Sequence, residues 1–229
     1  MTNKITLSLG ALALLATSVM AEDKMFSDYA VAVKAGTLGA GLEVTTNITD
    51  NVNLRVGVNG YNYSRDGEES GIEYDADLKL LTFDVLADYH PFETSSFRLT
   101  AGAMYNKNKL EMNGKPTGTS FEIDGVTYTT AEVADVDAAV DFNNFAPYLG
   151  IGWGNAVKSA GWNFVADLGV MFQGTPNSTV TVDTTGTTLN AGQLATLQAH
   201  IANEKAQLDG ELDNFKYYPV ISIGVSYRF

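Results

Sequence analysis

Residues 217–229 alternate strictly between two kinds of side chain, and this pattern constrains the fold more than any other feature of the chain. One face is apolar, with aromatic residues near both ends, and consists of Tyr217, Pro219, Ile221, Ile223, Val225, Tyr227 and Phe229. The other face is small or polar. A period of two predicts a β-strand, and aliphatic residues flanked by aromatic ones are typical of a strand that crosses a bilayer.

The same alternation recurs in seven segments upstream. They are residues 29–34, 38–45, 52–59, 81–89, 97–106, 147–153 and 162–173. Together with the last segment they make eight strands, and single-chain bacterial barrels have an even number of strands. The sequence therefore predicts an all-β fold, an eight-stranded antiparallel transmembrane β-barrel, with Phe229 as its membrane-insertion signal.

The connections between these segments alternate in length. If the last strand ends at the periplasm, the inner connections are 47–51, 91–95 and 154–161, which are short and rich in turn-forming residues. The outer ones include three long segments, 64–78, 107–144 and 174–215. The first outer turn, near Gly36, is the short exception. Short periplasmic turns and long outer loops are typical of outer-membrane barrels.

Two of the long loops have local structure of their own. Residues 121–128 alternate around an Asp-Gly pair, which predicts a small hairpin. From Asn190 onward apolar residues follow helical spacing, so Asn190 is a candidate N-cap and Gly210 a candidate end or kink. An amphipathic stripe alone does not decide whether this helix packs on its own loop or binds a partner.

The N-terminus has the pattern of a secretory signal peptide. Lys4 supplies a positive start, a short apolar stretch follows, and residues 19–21 are small or compact, as a signal peptidase requires. We expect cleavage after Ala21, which divides the chain into a signal peptide, residues 1–21, and one barrel domain, residues 22–229. The expected location is the bacterial outer membrane, with outer-membrane lipid, lipopolysaccharide and the barrel-assembly machinery as partners.

Composition narrows the function classes. The chain has no cysteine, two histidines and a formal net charge of −13. This acidic balance argues against nucleic acid as a partner, and we expect no metal site and no cofactor. A soluble, lipid-binding barrel would also show alternation, with its apolar face turned inward. The aromatic strand ends, the terminal Phe229 and the loop asymmetry favour the membrane barrel.

The second face of each strand would point into the barrel, and it carries four basic and four acidic residues. They are Lys34, Glu43, Arg55, Asp84, Asp88, Arg98, Asp167 and Arg228. An eight-stranded barrel is just wide enough for side chains to fill, and unpaired charges there are costly. We therefore expect a salt-bridged plug, in which the charges either only stabilise the barrel or line a gated path.

The outer loops are acidic. Representative carboxylates in the three long loops are Asp66, Glu68, Glu69, Asp135, Asp137, Asp209 and Glu211. Clustered carboxylates concentrate cations at a mouth, although a solvated loop surface has the same composition. No loop has the spacing of a dedicated calcium site. An enzyme is not expected, because neither His90 nor His200 belongs to a hydrolase, metalloprotease or nucleotide-binding motif.

Four stretches in the second half resemble the carbapenem-resistance-associated outer-membrane protein (CarO) family. They are residues 121–128, 145–153, 164–170 with 173–176, and 213–219 with 224–226. The resemblance covers about residues 97–229 and implies an eight-stranded barrel without a wide pore. It also implies a link to the uptake of basic amino acids such as ornithine and to carbapenem susceptibility.

Three functional hypotheses follow. The first is a narrow outer-membrane channel that admits small, cationic solutes such as basic amino acids. The second is a structural or surface-interaction barrel without transport activity, because the interior is narrow and the loops are long. The third is an OmpW-like path that releases apolar molecules sideways into the membrane.

Overall fold

The computed structural model describes residues 28–69 and 72–229. The predicted signal peptide, residues 1–21, lies outside the described residues. Across the described ranges, no helix is long and apolar enough to cross a membrane.

Thirteen strands and one long helix make up the described chain. In chain order they are β1 (Tyr29–Gly36), β2 (Gly39–Thr49), β3 (Val52–Glu69), β4 (Ile72–Tyr89), β5 (Phe97–Asn106), β6 (Lys109–Pro116), β7 (Ser120–Ile123), β8 (Val126–Thr129), β9 (Val136–Asp141), β10 (Phe145–Trp153), β11 (Gly161–Phe172), β12 (Asn177–Val182), α1 (Ala191–Leu212) and β13 (Tyr217–Arg228). A single 3₁₀ turn, Asp213–Lys216, joins α1 to β13.

Eight of these strands close into an antiparallel ring, in the order β1, β2, β3, β4, β5, β10, β11 and β13. The ring closes where β1 pairs with β13, from Ala30 opposite Arg228 to Gly36 opposite Ser222. All eight predicted strand segments lie in this ring. The predicted fold class is confirmed.

The two surfaces of the ring have opposite character. The outer surface is aliphatic in the middle, and Ile223 is 59% exposed there. The inner surface is polar, and Arg98 is 2% exposed. This arrangement matches the predicted membrane-type sidedness and is the reverse of a soluble lipid-binding barrel, whose interior is apolar. Aromatic side chains lie at both ends of the outer surface, where Trp162 packs edge-on against Tyr227 and Phe172 against Tyr217.

The short inner connections lie where the sequence predicts them, but the predicted outer loop 64–78 is wrong. β3 and β4 instead continue as an 18-residue hairpin, paired from Val52 opposite Tyr89 to Glu69 opposite Ile72. Above the lipid-facing zone both sides of a strand can be polar. The apolar alternation therefore stops while the backbone ladder continues.

The extended hairpin starts a second, smaller structural unit at the outer end of the barrel. The upper half of β4 pairs with β6, β6 with β9, and β9 with β12. The predicted outer loops 107–144 and 174–215 therefore contain sheet strands as well as irregular segments. We call the part formed by the upper halves of β3 and β4, β6 to β9, β12 and α1 the surface region.

Both predicted local structures in the surface region are confirmed. The hairpin β7–β8 turns at Asp124 and Gly125, whose φ angles of 50° and 70° explain the Asp-Gly pair. Helix α1 is capped by Asn190, whose side chain accepts hydrogen bonds from the backbone of Gly192 and Gln193. The helix runs through Gly210 and ends at Leu212.

Helix α1 packs on its own region of the chain. Leu197 is buried in an apolar cluster with side chains of the β7–β8 hairpin and the segment that follows it, namely Phe121, Ile123, Tyr128 and Val133. Tyr128 also hydrogen-bonds His200 of the helix at 2.7 Å. The surface region therefore has an apolar core of its own, separate from the barrel interior.

Candidate functional site

The interior of the barrel holds a layer of charged side chains, which we call the charged layer. Its seven members are buried and come from six strands of the ring: Lys34, Glu43, Arg55, Asp84, Asp88, Arg98 and Asp167. They belong to the eight lumen residues that the sequence predicts. Each sits at an inward position of its strand, because side chains alternate between the two faces of a sheet.

Arg55 is the centre of the charged layer. Its guanidinium contacts Glu43 on β2 (Nη1 to Oε2, 3.1 Å), Asp88 on β4 (Nε to Oδ2, 2.7 Å) and Asp167 on β11 (Nη2 to Oδ1, 3.1 Å). One side chain from β3 therefore joins carboxylates from three other strands across the bore. The planar guanidinium suits this role, because its donors point in several fixed directions.

The other two cations complete this network. Arg98 contacts Asp167 at 2.6 Å (Nη2 to Oδ1) and Asp88 at 3.5 Å (Nε to Oδ1), and it also donates to the backbone carbonyl of Gly154. Lys34 contacts Glu43 at 2.5 Å (Nζ to Oε2). Each of the three carboxylates bound by Arg55 thus has a second cationic partner.

Asp84 is the exception in the charged layer. Its Oδ2 accepts a hydrogen bond from Asn59 at 2.9 Å, whereas its Oδ1 is buried without a hydrogen-bond partner. Among the described residues no lysine, arginine or histidine nitrogen forms a salt bridge with it. Three cations and four carboxylates leave the charged layer with a formal charge of −1 if all are ionised.

Arg228, the eighth predicted lumen charge, lies apart from the charged layer. It forms a salt bridge with Asp28 at the inner end of the barrel, and both side chains are partly exposed. The neighbouring Phe229 is exposed and packs edge-on against Tyr227. The predicted balance of four charges of each sign is therefore wrong for the buried layer, because Arg228 is too close to the strand end to reach it.

An apolar layer fills the outer part of the barrel and overlaps the charged layer in depth, since Leu86 lies between Asp84 and Asp88 on β4 and Met104 is paired with Asp84. It consists of Leu38, Leu86, Met104, Ala146, Tyr148, Met171 and Val220, with Tyr218 packed against it. The sequence interpretation described the inward faces as small or polar and missed this layer. The available signal was that large apolar residues occur at inward positions of several strands.

The inner end of the barrel is filled as well. Ala156 and Val157, in the turn between β10 and β11, are buried against Ala30 and Val165. Asn53 of β3 donates a hydrogen bond to Asn155 in the same turn at 3.0 Å. The described side chains therefore fill the bore from this turn at the inner end, through the charged layer, to the apolar layer that overlaps it towards the outer end.

The predicted acidic loop residues do not form one site. Asp66 and Glu68 are exposed on β3, where the chain also places Glu69, while Asp135 and Asp137 lie just before and within β9.

Asp209 and Glu211 are on α1, and Asp209 contacts Lys205 at 2.6 Å and also Ser178. Hydrogen bonds from Lys205 and Ser178 lower the pKa of Asp209. The acidic groups are therefore spread over several faces of the surface region.

The structure shows one exposed ion cluster that the sequence interpretation missed. Glu111 on β6 contacts Lys109 at 2.6 Å and also Lys79 on β4. Hydrogen bonds from Lys109 and Lys79 lower the pKa of Glu111 to about 2. Only the pairing of β4 with β6 brings Lys79 to this glutamate, and that pairing lies in a segment predicted to be loop.

The ring and its sidedness define an eight-stranded membrane-type β-barrel with a filled interior. In comparisons of structures, the chain is similar to CarO2 of Acinetobacter baumannii, at 24% identity and a TM-score of 0.56, over 88% of this chain and 98% of that one. It is also similar to CarO of A. baumannii, at 22% identity and a TM-score of 0.55, over 87% of this chain and 97% of that one.

The fold is therefore CarO-like, that of an outer-membrane β-barrel. No protein-family model and no curated protein sequence matches the chain.

Proposed function

We propose that the protein is an outer-membrane barrel whose bore is closed at rest and which holds the folded surface region at the cell surface. The aromatic residues support the membrane placement. Trp162 and Phe172 are ten residues apart on β11, opposite Tyr227 and Tyr217. At about 3.3 Å per residue they are separated by ~33 Å along the strand. A strand tilt of roughly 40° reduces this to ~25 Å, the height of the apolar band of such barrels.

The filling of the bore carries this proposal. Arg55 crosses the lumen and binds carboxylates on three strands, while apolar side chains close the bore above it and a buried turn closes it below. A path for solutes would require several of these groups to move at once. The surface region, in contrast, has a core of its own and extends from the barrel on continuous strands.

Conductance measurements test the closed bore. The protein, refolded and inserted into planar bilayers, is expected to show no steady ionic current, with a large general porin in the same bilayers as a control for insertion. A variant without residues 177–214 should also be silent, because the filling lies within the ring. Steady, ohmic conductance from the wild-type protein would refute the proposal.

A narrow path for small cationic solutes, such as basic amino acids, is the second candidate. It is favoured by the formal charge of −1 in the charged layer and by the carboxylates on the surface region, which attract cations. Liposome-swelling assays with arginine, ornithine and glucose distinguish the candidates. Faster entry of arginine and ornithine than of glucose would support the path, and entry of none of the three would exclude it.

A further inference from the structure

We infer that the barrel interior contains a binding site for one small monovalent cation, of the size of Na⁺ or K⁺, beside Asp84. The site does not depend on transport, since an ion that stays in place would fill it equally well. The inference rests on the charge of the layer, on the unpartnered Asp84 oxygen and on a cavity beside it.

The first argument is charge balance. Among the seven buried members of the charged layer, each carboxylate except Asp84 contacts at least one arginine or lysine. Asp84 is 1% exposed, and within the part of the chain that the structure describes it accepts a side-chain hydrogen bond from Asn59 alone. A buried carboxylate without a cationic partner is strongly unfavourable. A bound monovalent cation would remove both the unpaired charge and the excess charge of the layer.

The second argument is space. A cavity of about 20 Å³ lies beside Asp84 in the barrel interior. This volume accommodates a particle about as large as one water molecule, and therefore an ion of similar size. Five of the thirteen lining residues carry side-chain oxygen atoms, the ligands that hard cations prefer, and they are Asn59, Asp84, Tyr148, Asp167 and Ser222. Apart from Lys34, the other lining residues are apolar residues and glycines.

The backbone beside Asp84 leaves room for its carboxylate. A methyl group added at Gly57 would lie 2.9 Å from both carboxylate oxygens of Asp84. The described residues contain no group of three or more His, Cys, Asp or Glu side chains arranged for a metal ion. Of the two carboxylates that line the cavity, Asp167 is already bound by Arg55 and Arg98. The remaining carboxylate, Asp84, together with neutral oxygens suits a monovalent ion better than a divalent one, whose sites use more charged ligands.

Lys34 also lines the cavity, but its ammonium group is bound to Glu43 at 2.5 Å. The lysine therefore compensates that glutamate and leaves Asp84 without a salt bridge. A cation beside Asp84 would give this carboxylate the positive partner that Lys34 gives to Glu43.

Thermal unfolding in matched salts tests the site. The refolded protein is compared in chloride salts of Na⁺, K⁺, methylammonium and choline at constant ionic strength. The wild-type midpoint should rise with Na⁺ or K⁺ concentration relative to choline, which is too large for the cavity, because a ligand that binds only the folded state stabilises it by mass action. A rise with methylammonium alone would overturn the inorganic-ion assignment.

Two variants locate the effect. Asp84→Asn should lose the difference between Na⁺ and choline, since an amide keeps the shape but not the charge. Asp137→Asn, which removes an exposed carboxylate of the surface region, should keep it. The inference would be overturned if the unfolding midpoint of Asp84→Asn depended on the cation as strongly as that of the wild type. It would also be overturned if the wild-type midpoint did not depend on the cation, which would mean that water or a proton satisfies Asp84.

A second measurement does not rely on a variant that folds. Crystals of the wild-type protein soaked in thallium(I), a heavy substitute for K⁺, should show an anomalous peak in the cavity beside Asp84. The inference would be overturned if thallium fully occupied other sites in the same crystal but gave no peak beside Asp84. Conductance assays decide the closed-bore proposal separately, because a stationary ion carries no current.

Discussion

Replacing Arg55 with methionine should be the most damaging single change in the barrel interior. Methionine has a similar length but no charge, so the change removes contacts to Glu43, Asp88 and Asp167 without opening a large void. The formal charge of the charged layer would fall from −1 to −2. Breaking a buried ion pair by removing one partner typically costs about 3–5 kcal/mol.

The structure places the expected loss near the lower end of that range, about 3 kcal/mol. Each of the three carboxylates keeps a second partner: Lys34 for Glu43, and Arg98 for the other two. Adding Asp88→Asn restores the charge of −1, and the asparagine can still accept the hydrogen bond from Thr100. The double variant should recover about 1–3 kcal/mol of the loss, the usual coupling energy of groups in contact.

Urea unfolding in lipid vesicles, followed by the fluorescence of Trp153 and Trp162, measures these free energies. Lys205→Met is the matched control, since it breaks an exposed pair with Asp209 and should cost less than about 1 kcal/mol. The reasoning would be refuted if Arg55→Met cost no more than this control. It would also be refuted if adding Asp88→Asn caused a further loss instead of a recovery.

Three further predictions concern single positions. Gly57→Ala should destabilise the barrel by about 1–3 kcal/mol, because the new methyl group would press on a buried carboxylate. Gly67→Ala, where nothing lies within 4 Å, should have little effect in the same unfolding assay. Leu197→Ala should destabilise the surface region by roughly 2–5 kcal/mol, seen as faster proteolysis of that region while the barrel keeps its folded mobility on gels. Glu111→Gln should cost less than about 1 kcal/mol at neutral pH. The pKa of Glu111 is lowered to about 2 by Lys109 and a second lysine, so this difference from wild type should shrink as the pH falls from 4.5 towards 2.

The barrel strands were predictable because one physical constraint acts on all of them. Every strand has an aliphatic outer face and a different inner face, so a period of two is visible wherever the chain crosses the apolar zone. The same alternation of side chains predicts which charged residues point into the barrel. Arg55 and Asp167 are 112 residues apart in sequence, and alternation alone assigns both to the bore.

The pairings inside the bore were not predictable in the same way. Which carboxylates meet Arg55 depends on strand order, tilt and stagger, and alternation does not contain this information. Alternation along β13 also predicts an inward position for Arg228. It does not show that this residue lies too close to the strand end to join the charged layer. The local sequence thus determines whether a side chain points inward. Its depth along the bore depends on how the strands pair in the closed ring.

The surface sheet was missed for a different reason. In water, both faces of a strand can be polar, so the upper halves of β3 and β4 have no apolar alternation although their ladder continues. The hairpin β7–β8 and helix α1 were predictable because their signals are local, namely an Asp-Gly turn and an Asn N-cap followed by helical spacing. Long-range pairing in a polar region leaves no comparable signal.

The bore is closed because glycines on some strands lie beside charged side chains from neighbouring strands. A methyl group at Gly152 would lie 2.6 Å from Nε of Arg98, as one at Gly57 would press on Asp84. Small residues on one strand thus make room for long charged side chains from another, and these occupy the space that a water channel would need. Because Arg55 binds carboxylates on three other strands at once, a continuous path through the bore requires these contacts to break together. If the contacts keep the bore closed, Arg55→Met should raise the current through the barrel above the wild-type level in planar bilayers. An equally silent Arg55→Met barrel would show that the apolar layer and the buried turn are sufficient to close the bore.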